Sequence, residues 1–101
     1  MIKQIPATQI GTGLTEVFIR SPNRKLIVRE LIFSNSSSSV RNVDLYDGDK
    51  STGIINILRV TIPASSTIYL DNIYREVINK NLVAICLEGT EVIVSGKVEE
   101  Y

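Results

Sequence analysis

The sequence has no histidine, no tryptophan and a single cysteine, Cys86. Without histidine, the commonest general base and the commonest zinc ligand are missing. One cysteine excludes an internal disulfide and a thiolate metal cluster. A reactive thiol needs a histidine or a cationic pocket beside it. Cys86 instead lies in the apolar run Leu82-Val83-Ala84-Ile85-Cys86-Leu87. It reads as a small core residue of a protein folded in a reducing cytosol. Eleven basic and eleven acidic side chains cancel, so the basic excess of a nucleic-acid binder is absent and no such partner is expected. No apolar stretch approaches the ~18 residues of a membrane span, and no membrane partner is expected. The opening Met1-Ile2-Lys3-Gln4-Ile5-Pro6 lacks the apolar stretch of a secretory signal. No nucleophile elbow, phosphate loop or dinucleotide fingerprint occurs. Gly11-Thr12-Gly13 lacks a third glycine and reads as a turn. These absences predict a protein that is not an enzyme and carries no cofactor and no metal.

What is present is β-sheet chemistry. Ile, Val and Leu dominate the hydrophobic 44% of the 101 residues, and β-branched residues favour a pleated, half-buried surface. Turn signals punctuate the chain at Gly11-Thr12-Gly13, Ser21-Pro22-Asn23, Asn35-Ser36-Ser37-Ser38-Ser39, Asp47-Gly48-Asp49, Pro63-Ala64-Ser65-Ser66, Asn79-Lys80-Asn81 and Glu88-Gly89. Such spacing between β-rich segments predicts an all-β fold, an antiparallel two-sheet β-sandwich of about eight strands, jelly-roll-like. Residues 25–35 lose their phase around Arg29-Glu30, which predicts a bulge or a crossing between sheets. Residues 82–87 are nearly continuous, as in a strand buried on both faces. Glu88-Gly89-Thr90 is read as the turn of a hairpin joining the last two strands.

The expected core comprises Val17, Ile19, Leu26, Val28, Leu31, Phe33, Val43, Leu45, Ile57, Val60, Ile68, Leu70, Val83, Ile85, Leu87, Val92 and Val94. Residues 1–12 are read as an extended arm outside a single domain of residues 13–101. Residues 72–81 carry two patterns. Helical spacing of Leu70, Ile73, Tyr74, Val77 and Ile78 competes with extended alternation.

Few residues invite site chemistry. Asp44, Asp47 and Asp49 with Ser51 and Thr52 offer hard oxygens of the kind Ca²⁺ takes. Their spacing is not that of an EF-hand, and a solvated Asp-Gly turn is the plainer reading. Arg20, Arg24, Lys25, Arg29 and Arg41 gather in the first half, without the interleaved aromatics that stack on bases. Candidate interface residues are Ile2, Ile5 and Ile10 of the arm, with Tyr46, Tyr69, Tyr74 and Tyr101.

From Gly13 onward the chain resembles small phage virion structural proteins of the β-sandwich or jelly-roll type, which serve as capsid decoration, fibre or tail components. The likeness is carried by Thr15-Glu16-Val17-Phe18-Ile19-Arg20-Ser21-Pro22, then by the long apolar strand from Arg24-Lys25-Leu26 to Phe33-Ser34-Asn35. It continues through Val43-Asp44-Leu45-Tyr46-Asp47-Gly48 and Ile62-Pro63-Ala64-Ser65-Ser66-Thr67-Ile68-Tyr69-Leu70-Asp71, and ends in residues 82–98. Asn79-Lys80-Asn81 stands where the pattern has a Gly-Asp turn, and residues 1–10 fall outside it. The resemblance implies a virion structural protein acting through protein–protein contacts, folded in the host cytoplasm. Its expected partners are further copies of itself, with a trimer as the first expectation, and capsid or tail subunits. The alternative is a carbohydrate- or receptor-binding sandwich module.

Overall fold

Alternating β-branched segments pair with whichever segment lets them bury one face, and here the first half of the chain pairs with the second. The structure, a computed structural model, describes residues 1–48, 55–71, 78 and 80–101. Among these lie eight strands: β1 (Ile2–Gln9), β2 (Thr15–Phe18), β3 (Leu26–Asn35), β4 (Arg41–Gly48), β5 (Ile55–Ile62), β6 (Ser66–Asp71), β7 (Asn81–Ile85) and β8 (Val92–Glu100). Strand β1 pairs with β8, β2 with β7, β3 with β6 and β4 with β5, all antiparallel. This is one long ribbon folded at the β4–β5 connection. Rolling the ribbon brings β8 against β3 and β7 against β4. Two four-stranded sheets result, ordered β1-β8-β3-β6 and β2-β7-β4-β5. The protein is an all-β, two-sheet antiparallel sandwich, and its strand order is that of a jelly roll.

The inner faces meet in a core containing Val17, Leu26, Val28, Leu31, Phe33, Val43, Leu45, Val60, Val92 and Val94, with Ile57, Ile68 and Leu70 packed against it. The bulge falls where the phase breaks, since the β3–β8 register slips between Val28 and Glu30. Beside it, Gly96 of β8 has φ +149°, and a Cβ there would run into the Glu30 carbonyl. Only glycine permits that approach.

Several expectations are corrected. Residues 1–12 are not an arm outside the sandwich. Strand β1 is hydrogen-bonded along β8, and Ile5 and Ile10 are core residues. An edge strand shows solvent to one side, so its sequence looks half like a tail. Deleting it would unroof the core. Residues 88–90 do not close a hairpin either. Strand β7 belongs to one sheet and β8 to the other, so the connection crosses the sandwich.

The phase of β7 is also opposite to expectation. Leu82, Ala84 and Cys86 point into the core, whereas Leu87 is 70% exposed and Ile85 half-buried. Val83 is nonetheless fully buried, in register between Glu16 of β2 and Tyr46 of β4. Ile19 is 65% exposed because β2 ends at Phe18, after which Asn81 Oδ1 accepts the Arg20 amide at 3.1 Å. The two patterns of residues 72–81 lie mostly outside the described residues. Ile78 is described; it is fully buried and bridges Leu26.

Candidate functional site

Successive strands reverse direction, so the connections fall alternately at two ends. One end gathers the β1–β2, β3–β4, β5–β6 and β7–β8 connections. There the buried Asn35 holds the loops together. Its Nδ2 donates among the carbonyls of Ser39 (2.9 Å), Pro63 (3.1 Å) and Ile62 (3.2 Å), and its Oδ1 accepts the Ser37 amide at 3.0 Å. Ser65 N donates to Ser37 O at 2.9 Å, and Cys86 N to Gly11 O at 3.0 Å. Arg41 pairs with Glu91 at 2.8 Å, which raises the guanidinium pKa and lowers that of the carboxylate.

The other end carries the loop of residues 19–25. Its turn is set locally: Arg24 N donates to Ser21 O at 3.1 Å, Pro22 fixes the first corner, and Asn23 takes φ 62°. Proline followed by a residue tolerating positive φ is the signature of a type II turn. A buried carboxylate fastens the loop to the sandwich. Glu100 accepts the Ser21 amide at 2.7 Å, the Ser21 hydroxyl at 3.0 Å and Lys3 Nζ at 2.6 Å. Lys3 foremost, then the Ser21 amide, pull its pKa down to about 2. Lys25 and Tyr101 exchange backbone hydrogen bonds alongside. A hollow of about 440 Å³ opens between Lys3, Ser21, Arg24, Glu100 and Tyr101. A second, of about 410 Å³, lies between Ile19, Arg20, Pro22, Lys80 and Asn81.

The expected interface residues are scattered. Ile5 and Ile10 are buried and unable to meet a partner. Ile2, Tyr69 and Tyr101 are exposed, Tyr46 is half-buried, and Tyr74 lies outside the described residues. On the outer face of the β1-β8-β3-β6 sheet, Tyr69 stands opposite Ile32, and Ile93 stands opposite Ser34 and Gln9. The Tyr69 hydroxyl donates to Glu30 at 2.9 Å, and this bond raises its pKa, so it serves as a donor.

The acidic residues are engaged separately. Asp44 takes Arg59 at 2.8 and 3.0 Å, while Asp47 accepts the Lys80 amide at 2.9 Å. Asp49, Ser51 and Thr52 lie outside the described residues. Among the described residues no three His, Cys, Asp or Glu side chains gather as a metal site would require. The basic residues divide: Arg29 pairs with Glu99 and Arg41 with Glu91, while Arg20, Arg24 and Lys25 share the 19–25 loop. Sequence reading missed Lys3 and Glu100, which join this site from β1 and β8. Only their ladder pairing reveals them; Glu100 sits at an inward position of an otherwise apolar face.

These features define an eight-stranded jelly-roll sandwich with a basic, partly apolar end and a mixed outer sheet face. No family model and no curated protein matches the chain. A crystal structure of PirA is similar, with a TM-score of 0.58 over 100% of this chain and 92% of that one, at 11% identity. At that identity the likeness bears on the fold alone.

Proposed function

We propose that this protein is a non-enzymatic structural subunit working by contact within a larger assembly: a virion component of the capsid-decoration, fibre or tail kind. The observation that carries the reading is the outer face of the β1-β8-β3-β6 sheet. Tyr69 is 58% exposed there, and Ile2 and Ile93 are about as open, on a surface held rigid by the ladder. Large apolar side chains on a stiff, flat face exclude water when a partner covers them, and the hydroxyls of Ser34 and Thr67 and the charges of Lys97 and Glu99 fix the register. The resemblance in strand and turn patterning supplies the virion context, and self-association as a trimer is the first arrangement to test.

The test is light scattering across a concentration series, together with electron microscopy of purified particles labelled by an antibody to this chain. The reading expects labelled particles, and loss of both label and oligomer in a Tyr69→Glu/Ile93→Glu variant that still folds. A monomer at every concentration, with unlabelled particles, sinks it.

A further inference from the structure

We propose that the loop of residues 19–25 and the hollows beside it form a docking surface for a bilayer rich in anionic lipid. Four observations carry this. First, the three cations of the loop itself hold no carboxylate among the described residues. Arg24 and Lys25 are exposed and have no ion pair among the described residues, and Arg20 reaches only the carbonyls of Ser21 and Arg24, at 3.5 and 3.4 Å. Lys3, which lines the first hollow, is paired with Glu100, and away from the loop Arg29, Arg41 and Arg59 each hold a carboxylate. Second, an aliphatic side chain projects among them: Ile19 is 65% exposed, with Pro22 exposed beside it. Third, Tyr101, an amphipathic ring, is 45% exposed at the rim of the hollow that Arg24 lines. Fourth, the type II turn and the Glu100–Ser21 bonds hold the loop in one shape, so little ordering remains to be done on binding.

The combination selects among anionic partners. Single-stranded nucleic acids are read through aromatic rings interleaved with the cations, and the 19–25 loop has none. At a bilayer surface, Lys and Arg sit at the phosphates, Tyr at the headgroup level and an aliphatic tip at the acyl boundary. No helix of the described residues is long and apolar enough to cross a membrane. The expectation of no membrane partner came from the lack of a span, and a surface contact needs none. This inference is independent of the sheet-face assembly proposed above.

The experiment is co-sedimentation of the full chain with vesicles of phosphatidylcholine alone, or containing about one-third phosphatidylserine. Binding is expected to the second only, and to weaken at ~0.5 M salt. Arg24→Gln/Lys25→Gln should lower partitioning at least about tenfold, and Ile19→Ser about fivefold or more. Ser38→Glu, which adds a negative charge at the opposite end, should change it less than about twofold. These side chains are exposed, and unchanged thermal unfolding will confirm that the variants fold. Equal binding to both vesicles, binding to neither, or an Ile19→Ser variant that partitions like the parent overturns the proposal. Displacement by inorganic phosphate at ~10 mM, or by a soluble acidic polysaccharide, also overturns it, because the site then reads a free anion rather than a surface.

Discussion

The serine-rich end and the basic end are finished from the same strands in opposite ways. At the first, a buried amide, a seryl backbone and one cross-sheet ion pair turn the loops toward each other. At the second, the buried Glu100, Asn81 and the Tyr101 backbone tie the 19–25 loop down, while its cations and an isoleucine are left to the surface. Loops that bind one another turn their hydrogen bonds inward and lend stability. A loop fastened mainly through its backbone keeps its charged side chains free and lends recognition. A neutral chain thus gathers Arg20, Arg24 and Lys25 on one loop, a local grouping that its net charge conceals.

The contrast can be broken or sharpened by substitution. The largest effect is expected from Gly96→Ala, which strikes the strand that serves both ends. A side chain at φ +149° against the Glu30 carbonyl should cost about 3 kcal/mol or more, read as a fall in Tm of over ~10 °C. Asn35→Ala should come next, costing about 2–3 kcal/mol in urea titration because it leaves buried carbonyls unpaired. If Asn35→Ala proves neutral, the closed-end description is wrong.

Acid should weigh on the basic end through Glu100. The Glu100 carboxyl is depressed when folded, so its contribution is fully present above the usual glutamate value of about 4.3. It is lost as pH falls toward about 2. Glu91 and Glu99, lowered by Arg41 and Arg29, add to the same acid slope. Thermal melts should therefore fall steeply across that window, and Glu100→Gln should flatten the fall. The smallest effect is expected from Asn23→Gly, within about 0.5 kcal/mol of the parent in urea titration, since glycine accepts positive φ as readily.

Much of the fold was legible because its signals are local. Pro22-Asn23 and Ala64-Ser65 mark turns through their own dihedral preferences, and both Asn23 and Ser65 take positive φ. The break at Arg29 announces its bulge because alternation on either side is strict. Pairing is not local, and there the reading failed. Glu88-Gly89-Thr90 suits a hairpin as well as a crossing, and only the placement of β8 between β1 and β3 decides. The inward phase of β7 was hidden because Val83 and Ala84 are both fully buried, so alternation carries no information. The site was less legible than the fold. Arg20, Arg24 and Lys25 were noticed as charges, but Lys3 and Glu100 arrive from the paired strands β1 and β8, and Glu100 lies 79 residues from the Ser21 it holds.

The ribbon pairing also bears on how the molecule reaches this shape. Strands β4 and β5 are neighbours in sequence and can meet early, whereas each pairing outward spans a longer loop, until β1 must find β8 across almost the whole chain. Closure entropy grows along that series, so folding should zip from the β4–β5 hairpin outward on the millisecond-to-second scale typical of non-local β-sheets. During synthesis, Ile5 and Ile10 emerge well before β8, the strand β1 pairs with, and wait longest for cover. The exposed first strand is therefore the stretch on which a chaperone, or a second nascent chain, has most time to act.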